Sequence, residues 1–235
     1  MKAVVAALLV ALPAQSRKHD ERLRGDSPKL ARASVAFIAP ADLARIEFDV
    51  PVEVQLKVEN YPMDAGAHVH LIVDNEPAMQ VDDLSKPVAL KLEAGPHLVR
   101  AVLCRPWHEV VKAPHAFAMS RFWIGPPLPG KAGRAAEFVA WPDPKKPILT
   151  YVLPLPQGRP TLDFYLANAR LARRGDKLRV VLDRRELPLL TEWKPFPLRR
   201  ARGGTHRITI DLLNRKGLKV KNAVNRTDRV FTVTR

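Results

Sequence analysis

The chain has a single cysteine, Cys104, and only 11 glycines in 235 residues. One thiol cannot close an internal disulfide or build a cysteine-rich zinc module. So few glycines exclude a collagen-like repeat and a flexible Gly/Ser linker protein. No apolar run approaches the roughly 20 residues that cross a bilayer, and enzyme signatures are missing as well. There is no G-x-S-x-G elbow, no G-x-x-x-x-G-K-[ST] loop, no G-x-G-x-x-G after a strand and no H-E-x-x-H. Gly130-Lys131-Ala132-Gly133 lacks both the glycine spacing and the Ser/Thr of a phosphate loop. What remains is 46% apolar and 27% charged residues, the balance of a soluble globular protein of one large or two ordinary domains.

The formal net charge of +15 is unevenly spread. Residues 1–128 carry 15 Lys+Arg against 15 Asp+Glu, whereas residues 129–235 carry 24 against 9, so all the excess lies in the second half. Such asymmetry points to a polyanionic contact surface on one part of the molecule. At the start, Lys2 precedes an apolar run over 3–12, then Pro13 and the small-x-small step Ala14-Gln15-Ser16. This reads as a signal peptide over 1–16, although Arg17-Lys18 is an unfavourable neighbour for a cleavage site. The expected address is exported, periplasmic or cell envelope, with a flexible segment over 17–32.

An internal duplication organises the rest. VQLKVEN at 54–60 aligns with LDFYLAN at 162–168, and GAHVHLIVD at 66–74 aligns with GDKLRVVLD at 175–183. Gly95-Pro96-His97 matches Gly204-Thr205-His206, always at an offset of 108 or 109. The copies occupy 33–125 and 137–235, joined by a Pro/Gly linker over 126–136 that contains GPPLPG. Each consists of short runs of period-two alternation: Val52, Val54, Leu56 and Val58; Val69, Leu71 and Val73; Leu178, Val180 and Leu182; Ile208, Ile210 and Leu212. Turn signals recur about every ten residues, the spacing of an antiparallel sandwich. Helical periodicity is nearly absent, with single turns at most over 41–45 and 134–139. The expected fold is all-β: two tandem immunoglobulin-like antiparallel β-sandwiches arising from the duplication.

Six of the seven histidines fall between 68 and 206. His97 and His206 are the duplicated pair, each two residues after a turn glycine, and are read as structural donors to a backbone carbonyl at the sandwich end. His68 and His70 differ, because their counterparts are Lys177 and Arg179, which suggests a solvated face. Residues i and i+2 of a strand point the same way about 7 Å apart. Both imidazoles can therefore reach one copper or zinc ion, with His108, His115 or Met119 as a third ligand. The bland alternative is a polar, wet face holding nothing.

The stretch 105–112, RPWHEVVK, follows a predicted strand directly, and Pro106 should end that strand because it cannot donate to a ladder. Arg105, Trp107, His108, Glu109 and Lys112 thus form a candidate ligand- or partner-gripping loop. The competing reading has Trp107 plugging the sandwich end while Arg105 pairs with Glu109.

LVRAVLCRPWHEVVKAPHAF, together with LTYVLPLPQG, LDFYLANARL, the Trp193-x-Pro195 step and Asn222 with Asn225-Arg226-Thr227 before Arg229, resembles an uncharacterised bacterial family. Its members are duplicated Ig-like β-sandwich proteins carrying an Arg-Pro-Trp-His-Glu motif. The resemblance implies a two-module exported protein and no particular activity. Val110 stands where that family carries Ser, so no hydroxyl role attaches to the position.

In the second copy Lys177, Arg179, Arg184, Arg185, Arg199, Arg200 and Arg202 form a candidate polyanion-binding surface. Few aromatics accompany them, which argues against specific nucleic-acid recognition. The partner expected is an anionic envelope component or an acidic protein. The sequence thus reads as a non-enzymatic exported binding or adaptor protein without an obligatory cofactor, with a copper- or zinc-binding protein based on His68, His70 and His108 as the alternative.

Overall fold

A computed structural model describes residues 30–127, 129–130, 141–152 and 160–234. The expected signal peptide, most of the linker and the helical turn foreseen over 134–139 lie outside these residues. Where the flexible N-terminal segment was expected to continue to residue 32, the chain already forms a 3-10 turn at Leu30–Arg32, with Leu30 buried in the core.

The described chain is all-β. In the first copy β1 (Ser34–Ala39), β3 (Val52–Glu59) and β6 (Val88–Leu90) form one sheet. The facing sheet has the order β2 (Ala44–Ile46), β8 (Phe117–Ile124), β7 (Gly95–Cys104), β4 (His68–Val73), β5 (Met79–Val81). All neighbours are antiparallel except β2, which runs parallel to β8. The helical turn expected over 41–45 is therefore a turn leading into this edge strand. In the second copy β9 (Ile148–Val152), β10 (Thr161–Ala167) and β13 (Phe196–Pro197) face a sheet of β12 (Arg185–Glu186), β11 (Lys177–Leu182), β14 (Gly204–Leu213) and β15 (Arg226–Val233). A three-stranded sheet facing one whose consecutive final strands sit beside the third strand is the immunoglobulin-type arrangement. Two such sandwiches in tandem are what the alternation predicted.

The duplication is visible in backbone angles as well as in sequence. Asn60 and Asn168 share φ near 55°, Asp74 and Asp183 lie at 51° and 49°, and Gly95 and Gly204 at 130° and 125°. Asn and Asp tolerate the left-handed region, but the glycine angles lie where a Cβ is strained. Each copy also repeats a strut. His97 Nδ1 meets Asp74 at 3.0 Å and its Nε2 meets the Glu93 carbonyl; His206 makes the same pair of bonds to Asp183 and the Arg202 carbonyl. The structural role read for these two histidines is the one observed.

Burial departs from alternation in three strands. Val52, Val54 and Leu56 alternate with exposed residues, as a half-buried strand should. By contrast five consecutive residues of β4, five of β10 and the last seven of β7 are buried. Both faces of these strands are covered because the second sandwich docks on the outer face of the first sandwich's five-stranded sheet. Leu162, Phe164 and Leu166 point into the second core, while Tyr165 points into the first. Its ring stacks on Phe117 at 5.1 Å and its hydroxyl donates to the Ala113 carbonyl at 2.6 Å. Leu98, Ile148 and Val224, one from the first copy and two from the second, form an apolar cluster of their own.

At the centre of this junction Arg100 is 1% exposed. Its guanidinium donates to the carbonyls of Leu149 and Asp74, to Thr150 Oγ1 and to Asn75 Oδ1. Burial, with Arg229 adding like-charge repulsion, pulls its pKa down to about 9, so the group still carries its charge at neutral pH. A buried cation with four oxygen partners ties the C-terminal end of β4 to β9. Arg100→Ala would remove a charged donor from each of those acceptors and open a cavity. The expected loss is about 3 kcal/mol or more by urea denaturation, against about 1 kcal/mol for Tyr165→Phe. Equal effects of the two variants would contradict this account.

Candidate functional site: a buried three-histidine cluster

The site lies at the end of the first sandwich where β4 begins and β7 runs into its loop. His68 and His70 occupy alternate positions of β4 and so share a face. That is the outer face of the sheet, opposite Val69 and Leu71. The sequence reading took it to be solvated, and this is corrected by the structure: His68 is 1% and His70 8% exposed. The covering comes from the loop after β7, where Pro106 ends the strand as expected. Its third residue, His108, closes over both imidazoles, with ring centroids 4.6 Å from His68 and 5.4 Å from His70.

The local sequence explains how the loop reaches that position. The Arg105 amide donates to the Glu109 carbonyl and the His108 amide to the Arg105 carbonyl, closing a three-residue loop of Pro106, Trp107 and His108. The last residue of such a loop commonly adopts the left-handed region and is commonly Gly. Here it is His108, at φ 62°. Arg105 pairs with Glu109 at 2.6 Å, and Trp107 Nε1 donates to Glu109 Oε2 at 2.9 Å. Beyond the turn, the Val110 amide and Lys112 Nζ both bond the Asp163 carboxylate of β10, at 2.7 and 2.8 Å. The second sandwich therefore clamps the loop of the first. Asp163 escaped the sequence reading, although a carboxylate inside an apolar strand, aligned with Gln55 of the first copy, was the available signal.

These bonds show where each residue of the 105–112 loop sits. Trp107 packs against the first core, as the plug reading required. Arg105, Glu109 and Lys112 are engaged internally, and Arg105 is only 5% exposed. Arg105, Trp107, Glu109 and Lys112 thus form a bonded network around His108.

Three ring nitrogens converge. His68 Nε2 lies 3.0 Å from His70 Nε2, which lies 3.2 Å from His108 Nδ1, and the three nitrogens all fall within 4.8 Å of one another. With metal–nitrogen bonds of about 2.0–2.1 Å, ligand nitrogens in a tetrahedral shell stand about 3.3 Å apart, so two edges already have nearly that length. Of the third ligands considered, His108 joins the pair, and His115 and Met119 do not. Burial pushes the His68 pKa down to about 4, with repulsion from His108 adding to it. Burial likewise holds His70 well below the ordinary imidazole value and lowers His108, the latter against the attraction of Asp82. Three neutral imidazoles whose nitrogens meet at hydrogen-bond distance could turn those nitrogens to a soft or borderline metal ion.

The basic surface resolves into two ends. Arg184, Arg185, Arg199, Arg200 and Arg202 are exposed at the end of the second sandwich where β11 finishes and β14 begins. Lys177 and Arg179 start β11 at the other end, and Arg179 is occupied by the buried Asp211 at 2.6 Å. Burial opposes ionisation of Asp211, yet Arg179 and Arg226 outweigh it and hold the pKa below the usual carboxylate range. Arg179 and Lys177 thus do not extend the exposed arginine cluster.

No family model matches the chain, and no curated protein matches it. Among solved structures, the fibronectin(III)-like modules of Clostridium thermocellum CbhA align over 85% of this chain and 94% of theirs, at 9% identity and a TM-score of 0.32. SGBP-B of a Bacteroides ovatus mixed-linkage glucan utilization locus, in complex with a mixed-linkage heptasaccharide, aligns over 86% and 70% at 14% identity and a TM-score of 0.28. The central fibronectin-III array of RIM-binding protein aligns over 83% and 67% at 12% identity and 0.28. At such scores the fold assignment rests on the strand order described above. The protein is accordingly defined by its own architecture: paired immunoglobulin-like sandwiches with a three-histidine cluster beside their junction.

Two outcomes follow from this geometry. His108→Gly places the residue preferred in the left-handed region there, so stability should change by no more than about 1 kcal/mol while the third nitrogen is lost; thermal unfolding with and without metal tests both parts. The histidines also divide by pH. Burial opposes charge on His97, but Asp74 and the Glu93 carbonyl outweigh it, and on His206 the Arg202 carbonyl and Asp183 act together, so both pKa values are raised. Their stabilisation is complete below the unfolded value of about 6.5 and is lost as pH rises through the folded values. The cluster acts oppositely, and acid destabilises the fold from about 6.5 downward because its imidazoles must take up protons. NMR titration should find His68 near 4 and His97 and His206 above the ordinary value.

Proposed function

We propose that this is an exported, non-enzymatic metal-binding protein that holds one copper or zinc ion on His68, His70 and His108. The observation that carries the reading is the convergence of three ring nitrogens, two from one strand face and one from a loop clamped by the second sandwich. Neutral imidazoles packed this closely gain from a shared cation what they otherwise forgo as buried, incompletely bonded polar groups. The resemblance to duplicated sandwich proteins with an Arg-Pro-Trp-His-Glu motif gives that motif a use: four of its residues build the turn that places the fourth, His108. None of the described helices is long and apolar enough to cross a membrane.

Equilibrium dialysis of the full chain against zinc and against copper, followed by desalting, tests the proposal. One retained equivalent that disappears in His70→Leu, a change that keeps the position filled, is expected. Retention of neither metal would remove the reading.

A second surface has a specific observation in its favour, the exposure of Arg184, Arg185, Arg199, Arg200 and Arg202 at one end of the second sandwich. It fits a docking contact with an anionic envelope component or an acidic protein. Cosedimentation with the cell envelope should fall steeply with salt and should weaken when Arg200 and Arg202 are replaced by Gln, with no change in metal stoichiometry.

A further inference from the structure

Building on the three-histidine reading, we infer that the ion this site is made for is monovalent copper, held by three imidazoles without a fourth protein ligand. The donor set is the first ground. Among the described residues no thiolate and no carboxylate belongs to the converging group. Cys104 pairs with His68 across the strands, yet its sulfur is directed to the Val102 carbonyl at 3.7 Å. Imidazole serves copper and zinc alike, but three nitrogens complete the trigonal shell in which Cu(I) is stable, whereas zinc on three histidines takes water as a fourth ligand and structural zinc closes a tetrahedron with protein groups.

Charge is the second ground. The acids flanking the loop are already matched, Glu109 by Arg105 at 2.6 Å and Asp163 by Lys112 at 2.8 Å. The negative charge that acts on His68 and His108 is Asp82, beside β5, whose carboxylate accepts a bond from Gln80. One such charge balances a monovalent ion and leaves a divalent ion in excess. The desolvation cost of an ion grows as the square of its charge, so a divalent cation costs about four times as much to bring to the same buried position.

The outer shell is the third ground. Histidines that hold a metal ion pass their second ring N–H to a carboxylate, a carbonyl or water, which raises the basicity of the ligating nitrogen, and an ion of higher charge draws more on that support. With Nε2 turned to the ion, His70 leaves Nδ1 buried without a hydrogen-bond partner, and His68 Nδ1 reaches only the Gly66 carbonyl at 3.4 Å. Among the described residues no carboxylate is hydrogen-bonded to either ring. Ligands so weakly reinforced suit a soft ion of low charge better than one that draws strongly on its donors. Half-buried His108 is the exposed member and gives the ion its way in.

The test uses the intact chain under anaerobic conditions, titrated with Cu(I) against the competing chelator bicinchoninate and, separately, with Zn(II). X-ray absorption at the copper edge then reports the shell. The expected result is one Cu(I) per chain with three nitrogen scatterers, retained in the presence of excess zinc. Complete loss of that equivalent is expected in His108→Gly and His70→Leu, with no loss in His115→Ala. Displacement by zinc, or a sulfur or fourth protein ligand in the spectrum, would overturn the monovalent assignment while leaving a metal site in place. Failure to retain either ion would overturn the assignment and the metal-binding reading together.

Discussion

The structure depends on one contact: the second sandwich lies on the outer face of the first sandwich's five-stranded sheet. An immunoglobulin-like sandwich buries one face of each sheet and leaves the other to water. Here the outer face of β4, β7 and β8 is covered, and the residues on it change character accordingly. Arg100 becomes a buried cation whose two terminal guanidinium nitrogens donate to oxygens of both copies, Tyr165 spans from one to the other, and Asp163 reaches into the turn after β7. Without that covering, β4 and β7 would read as ordinary half-exposed strands.

The histidine cluster is a consequence of the same contact. His68 and His70 are brought together by strand geometry alone, but strand geometry leaves their nitrogens facing solvent. His108 reaches them because a three-residue turn, with its last residue in a left-handed conformation, is fixed on one side by Arg105 and Glu109 and on the other by Asp163. The arrangement follows a general way of positioning side chains: two on a rigid strand and a third on a turn held by a second layer of hydrogen bonds. A left-handed His where Gly is easier marks a place where local backbone preference has yielded to the need for a side chain.

Charge, by contrast, is organised locally. The excess of the second half is real, but its members do not form one surface. Asp211 gathers Arg179, Arg226 and Lys219 around a buried carboxylate, and Asp228 takes Arg207. Of the seven residues expected to form the surface, the five exposed ones are the arginines at the end where β11 finishes and β14 begins. Counting charges along the chain overstates such a surface because acidic residues far apart in sequence neutralise part of it.

The sequence by itself determined the fold class, the duplication, the paired His97 and His206 struts and the end of β7 at Pro106, because period-two alternation, turn residues and proline act over a few neighbouring positions. It also put His68 and His70 on one face. It did not disclose that this face is dry, that Arg100 is buried, that Asp163 holds the loop, or which of His108, His115 and Met119 completes the group. Those depend on how two separately legible sandwiches dock. Residues some 50 positions apart meet there with no periodic signal, and a strand covered on both sides gives no sign in its own sequence of what covers it. Local rules therefore decided the elements, and only the tertiary contact decided the site.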